Sequence, residues 1–87
     1  MKAVILYHPK SAEARTVEEY VHDFAARNSK EIELLSLETR EGAAMATIYD
    51  IVRYPSLMVL DGGGQLHKAW QGETMPLIDE LAAYLVA

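Results

Sequence analysis

The side chain that would carry the most chemistry is absent. There is no cysteine among the 87 residues, which excludes disulfide exchange, a thiolate nucleophile and any cysteine-held metal or cluster. His8 and Ser11 are of the types that make a base and a nucleophile. They lie only three residues apart, no third orienting group is evident, and no oxyanion hole can be read; a helix cap accounts for Ser11 fully. His8, His22 and His67 are candidate metal ligands. No pair of them has the close spacing of a zinc motif, and a metal needs three or four ligands, so no metal is expected. Gly62-Gly63-Gly64 suggests a phosphate cradle. No Gly-Lys-Ser/Thr follows it, and the next element reads as a strand rather than a helix N-terminus, so it is a hairpin turn. Trp70, Tyr54, Tyr7, Met45 and Met75 are large enough to anchor a partner. Trp70 alternates with Leu66 on one strand face, which assigns it to core packing under a helix.

Composition narrows the classes further. Apolar residues make up 51% and charged residues 24% of the chain, ordinary values for a folded globular protein. The net charge of -5 argues against nucleic acid as a partner, because counterion displacement from phosphates needs clustered Lys and Arg. Lys10, Arg15, Lys30, Arg40, Arg53 and Lys68 are scattered singly. Ala3 to Tyr7 is too short for the apolar core of an export signal. No run approaches the ~20 apolar residues of a membrane span. A soluble cytoplasmic protein without membrane contact is the expectation.

Apolar spacing and turn residues assign the elements on which these side chains sit. Ala3-Val4-Ile5-Leu6-Tyr7, ended by His8-Pro9, reads as a strand buried on both faces. Ser11 caps a following helix whose core face is Val17, Val21, Phe24 and Ala25, with Asn28-Ser29 at its end. Ile32 to Leu37 is a second strand. Thr39 caps a second helix in which Ala44, Ile48 and Ile51 share a face, and Pro55 stops it. Ser56 to Leu60 and Gln65 to Gln71 form a hairpin around Asp61-Gly62-Gly63-Gly64. Gly72-Glu73-Thr74 leads to a last helix starting near Pro76, with Leu77, Leu81 and Leu85 on its core face, helped by Ile78. The order is β-α-β-α-β-β-α. A helix between the first two strands implies a parallel right-handed crossover, and the hairpin adds an antiparallel pair. The result is a three-layer α/β sandwich on a mixed four-stranded sheet, with residues 1–87 forming one domain.

The stretch Ile48-Tyr49-Asp50-Ile51-Val52-Arg53-Tyr54-Pro55-Ser56-Leu57 resembles the thioredoxin family's helix end, Tyr-x-Ile, followed by Pro-Thr-Leu. Gly64 and Gly72 match that family's hairpin glycine and the glycine after its fourth strand. The element order and length are similar to its minimal, glutaredoxin-sized version. The resemblance covers nearly the whole chain and implies a thioredoxin-like fold, with a cis-proline at Pro55 opening the third strand. The departure falls where that family keeps Cys-x-x-Cys or Cys-x-x-Ser, between the first strand and the first helix. Here the loop reads His8-Pro9-Lys10-Ser11-Ala12-Glu13-Ala14-Arg15, and Ser11 and Ala14 have the spacing of the two missing cysteines. The resemblance therefore implies the fold and the proline, and withholds the redox activity.

These readings lead to a redox-inactive thioredoxin-like domain that binds a protein, a peptide or a second copy of itself, with no cofactor. The expected surface combines Pro9, Lys10 and Ser11 with Tyr54 and Pro55 and with Gly72 and Glu73. The alternative is a glutathione-binding or glutathione-dependent enzyme that uses a hydroxyl instead of a cysteine. Tyr7 near Ser11 is similar to the N-terminal domain of glutathione transferases. Where that domain carries a Gln-Ser or Glu-Ser pair after its hairpin, this chain reads His67-Lys68-Ala69-Trp70, and the large helical second domain is missing.

Overall fold

A computed structural model describes residues 1–28, 30–72 and 75–85. Among these residues four strands and three helices occur in the expected order: β1 (Lys2–Tyr7), α1 (Ala14–Arg27), β2 (Ile32–Ser36), α2 (Arg40–Ile48), β3 (Ser56–Leu60), β4 (Leu66–Gln71) and α3 (Ile78–Leu85). The sheet order is β2-β1-β3-β4. β1 pairs parallel with β2 and antiparallel with β3, and β3 pairs antiparallel with β4. The two central strands are the continuous apolar runs of the sequence, as strands covered on both faces must be. Residues 3–6 of β1 and the whole of β3 are buried.

Alternation along β1 and β3 divides the core into two layers. Ala3, Ile5, Leu57 and Val59 face α1 and α3, where they meet Val17, Phe24, Leu81 and Leu85. Val4, Leu6, Met58 and Leu60 face the other way, toward Ala46 of α2 and Ile51 beyond it. Each fully buried leucine or phenylalanine contributes about 1.5–3 kcal/mol by leaving water, and the α1/α3 layer holds more of them. α2 presents only small buried residues, Gly42 and Ala46. That close approach is why position 42 is glycine: a Cβ there would lie 2.1 Å from the Ser36 carbonyl oxygen.

Several helix and strand details depart from the sequence expectations. Ser11 does not cap α1: the helix begins at Ala14, and the cap position is Glu13 with no side-chain cap bond. The chain turns twice after Pro9 before it can enter the helix. Ala25 is exposed, and the core face of α1 is Ala14, Val17 and Phe24, with Val21 half-buried. In α2 the inward face is Gly42 and Ala46; Ala44 is exposed and Ile48 is 73% exposed, while Ile51 is buried but lies after the helix. Leu77 is 77% exposed and precedes α3, whose core contacts are Leu81 and Leu85, with Ile78 packed at the edge. β2 stops at Ser36 and β4 starts at Leu66, each one residue inside the expected bounds.

Leu66 and Trp70 do not share a face. The β3–β4 register shifts from Val59↔Lys68 to Leu60↔Leu66, leaving His67 as the extra residue of a bulge. A bulge reverses the in/out sense of the strand on its far side. Leu66 therefore joins the α2 layer, and Trp70 joins the α1/α3 layer, where its ring meets Tyr84 edge-on at 5.5 Å. Thr39, by contrast, caps α2 as its type predicts: its hydroxyl accepts from the Gly42 N–H at 3.0 Å and donates to the Ser36 carbonyl at 2.7 Å. No helix among the described residues is long and apolar enough to cross a membrane.

Candidate functional site

The expected surface is assembled from three chain segments that meet at one end of the sheet. The first is the loop after β1. Its main chain closes on itself: the Ser11 N–H donates to the His8 carbonyl at 3.0 Å, and the Ser11 hydroxyl donates to the same oxygen at 2.7 Å. The hydroxyl is therefore engaged with main chain rather than with the imidazole of His8, and the pair does not form a nucleophile and its base. Lys10 reaches Glu38 at 4.0 Å across to the turn before α2. Both side chains are exposed, so this pair contributes little to stability. Pro9 is half-buried.

The second segment is Tyr54-Pro55, between α2 and β3. The Tyr54 ring is half-buried and meets the His8 ring edge-on at 5.4 Å and 78°. Its hydroxyl donates to the Ile51 carbonyl at 2.8 Å, which folds the segment back on itself. The Tyr54–Pro55 peptide is cis. Pro55 is buried, and its carbonyl accepts from the Gly72 N–H at 3.0 Å. Among the described residues, neither the N–H nor the C=O of Tyr54 makes a hydrogen bond.

The third segment is the end of β4. The Gln71 side-chain oxygen accepts from the N–H groups of Val52 and Arg53 at 3.3 and 3.4 Å, pinning the loop ahead of Tyr54. Gly72 is buried with φ +100, and the Arg53 guanidinium packs 3.4 Å from where a Cβ would stand. Glu73, the last residue of the expected surface, lies outside the described residues. The structure thus joins His8, Tyr54, Pro55 and Gly72 through direct contacts, with Lys10 and Ser11 on the adjoining loop. Pro55 and Gly72, being buried, can offer shape and main chain only.

A groove of about 470 Å³ opens beside Tyr54, lined by His8, Leu37, Ala46, Thr47, Asp50 and Ile51 among others. Sequence reading singled out none of Leu37, Thr47 and Asp50 for this site. Asp50 carried a usable signal. It has φ +56, a left-handed conformation that Asp tolerates better than most residues, directly after a helix.

The other sequence candidates lie apart. His67 sits 3.2 Å from Asp61, and His22 is on the exposed side of α1. No group of three or more His, Asp or Glu that could hold a metal occurs among the described residues. The glycine turn is filled by the chain's own anion: the Asp61 carboxylate accepts from the N–H groups of Gly63 and Gln65, each at 2.9 Å. Those bonds, led by Gln65 and joined by His67, hold the Asp61 carboxyl below its usual range. Tyr20 is pushed up to about 12 by burial and by Glu80, and its hydroxyl donates to the Pro76 carbonyl at 2.8 Å, joining α1 to the start of α3.

This arrangement defines a thioredoxin-like α/β fold without cysteine. The chain is similar to thioredoxin 1 of the thermophilic eubacterium Thermosipho africanus, with a TM-score of 0.69 over 98% of this chain and 90% of that one. The two are 15% identical in sequence, so the likeness concerns the fold alone. No protein-family model matches the chain, and no curated protein matches it in sequence.

Proposed function

We propose that the chain acts as one redox-inactive thioredoxin-like domain that binds an extended protein or peptide segment across Tyr54-Pro55, flanked by the Pro9–Ser11 loop and by Gly72-Glu73. The observation that carries this reading is the Tyr54 main chain, which makes no hydrogen bond among the described residues although both its neighbours are tied down. An extended strand pairs with such groups, taking affinity from main-chain bonds and selectivity from adjacent pockets. The groove between His8, Leu37, Asp50 and Ile51 is the adjacent pocket. None of these features needs a thiol.

The test is a peptide selected from a random library on the immobilised domain, followed by amide-shift mapping of the labelled protein. Shifts should concentrate at residues 8–11, 50–55 and 71–73, and methylating the peptide amide nitrogens that face Tyr54 should weaken binding at least about tenfold, or 1.4 kcal/mol, whereas Tyr54→Ala, which keeps both main-chain groups, should weaken it less. Shifts confined to another surface would overturn the assignment. Glutathione in the same assay should give no saturable shift at Tyr7 or Ser11; a saturable one would favour the glutathione-binding alternative.

A further inference from the structure

The sheet order leaves two strands with a single neighbour each, β2 and β4, and the two edges are built differently. β4 carries the bulge at His67 and exposes Lys68. Bulges and lysines are features that keep an edge strand from pairing with another chain. β2 has neither. Its register with β1 runs unbroken from Ala3↔Ile32 to Tyr7↔Ser36. The strand Ile32-Glu33-Leu34-Leu35-Ser36 contains no Pro, Gly or Lys, and its central leucines are only half-buried.

The phase of the edge is fixed by one bond. The Leu37 N–H donates to the Tyr7 carbonyl at 2.9 Å, so Glu33, Leu35 and Leu37 turn their main-chain groups toward β1, and Ile32, Leu34 and Ser36 turn theirs outward. The Ser36 carbonyl is occupied by the Thr39 N–H and hydroxyl at 3.1 and 2.7 Å. The Ser36 N–H and both groups of Ile32 and Leu34 make no hydrogen bond among the described residues.

We infer that β2 pairs antiparallel with β2 of a second copy, about a two-fold axis at Leu34. Three two-fold registers fit the strand. Centring on Glu33 sets two carboxylates directly opposite each other, which is repulsive. Centring on Leu35 sets Leu34 against the partner's Ser36, whose carbonyl is already engaged, so the central Leu34 N–H finds no acceptor; centring on Leu34 meets that engaged carbonyl only at the outer Ile32 N–H. Centring on Leu34 exchanges both bonds between Leu34 and the partner's Leu34, lets each Ser36 N–H donate to the carbonyl of Ile32 across the axis, and places Glu33 opposite a leucine. The two four-stranded sheets then become one of eight. This edge is two strands away from β3, which Tyr54-Pro55 precedes, so the inference stands apart from the peptide-binding reading.

The absence of cysteine makes the test direct, because a single introduced thiol can bridge only to another copy. In a hydrogen-bonded antiparallel pair, opposite Cα atoms are about 5.5 Å apart, inside the roughly 4.4–6.8 Å that a disulfide spans. Under mild oxidation Leu34→Cys should give a covalent dimer, while Lys68→Cys on the β4 edge should cross-link at least about tenfold more slowly. Equal rates would mean random collision and overturn the pairing. The unmodified chain should show concentration-dependent dimer in sedimentation equilibrium up to about 1 mM; a monomer throughout that range would also overturn it. Leu34→Pro removes an N–H that points away from β1 and should sediment as monomer with unchanged circular dichroism. Leu34→Lys, which places two like charges across the axis, should do the same if the proline variant fails to fold. A dimer that persists in the folded variant overturns the register.

Discussion

The loop from His8 to Glu13 and the corner formed by Ile51–Pro55 with Gln71-Gly72 face each other across the His8–Tyr54 contact, yet they are held in opposite ways. The loop is held locally: its described bonds run between residues three or four apart, from Ser11 to His8, from Ala14 to Ser11 and from Val17 to Glu13. Besides the His8–Tyr54 contact, its reach to another segment among the described residues is the exposed pair Lys10–Glu38. The corner is held at long range, by Gln71 on Val52 and Arg53 and by Gly72 on Pro55. It rests on buried residues, Ile51, Pro55 and Gly72. A self-contained loop tolerates substitution; a corner tied through the sheet does not. The face proposed for an extended ligand is therefore a rigid corner with a replaceable loop beside it.

Gly72→Ala should disrupt the corner and give the largest loss. Its φ of +100 is one that a residue with a Cβ adopts only under strain, costing on the order of 1–3 kcal/mol. Chemical denaturation should show a lower midpoint with unchanged slope. A midpoint equal to that of the unmodified chain would mean the corner is no more fixed than the loop.

How much of this was legible differs between the two regions, for a physical reason. Thr39 was legible as a cap because the bond it makes spans three residues. The continuous apolar runs of β1 and β3 were legible because burial on both faces leaves no alternation to interpret. Tyr54-Pro55 and Gly72 were legible through the resemblance, as one-dimensional markers. Gln71, which ties the corner across 19 residues, has no local signature. The bulge at His67 was equally invisible, and it alone sent Leu66 and Trp70 to opposite faces. In α2 periodicity gives the wrong phase because the buried residues are the small ones, Gly42 and Ala46, while Ile48 points to solvent. Hydrophobic periodicity assumes that large residues mark the core.

Ser56, directly behind Pro55, probes the corner from the opposite direction. It is 0% exposed, and its hydroxyl has no hydrogen-bond partner among the described residues. A buried hydroxyl without a partner costs on the order of 1–3 kcal/mol of desolvation. Part of that returns when the oxygen is removed, offset by the small void left behind. Ser56→Ala should raise stability by about 1 kcal/mol. The corner would then be shown to draw its rigidity from main chain and from Gln71, with the hydroxyl contributing none. A loss of comparable size would mean that the hydroxyl is bonded in solution and belongs to the ties of the corner.

The smallest effect belongs to the loop, and it separates two hydroxyls of the same apparent role. Thr39 and Ser11 both precede a helix by one to three residues, and both read as caps. Thr39 accepts from a helix N–H, at Gly42, satisfying a donor that has no partner inside the helix. The Ser11 hydroxyl donates to the His8 carbonyl and satisfies no helix donor; the one helix N–H that Ser11 meets, that of Ala14, goes to its main-chain carbonyl, which Ser11→Ala keeps. The turn it closes is also closed by its own N–H at 3.0 Å, and the site is exposed to water that can replace the hydroxyl. Thr39→Ala should cost about 1 kcal/mol, and Ser11→Ala should stay within about 0.5 kcal/mol of the unmodified chain. Denaturant midpoints of the two variants, measured side by side, decide the point. Equal losses would mean that Ser11 caps α1 in solution and that the loop is anchored to the helix it precedes, which would erase the contrast with the corner.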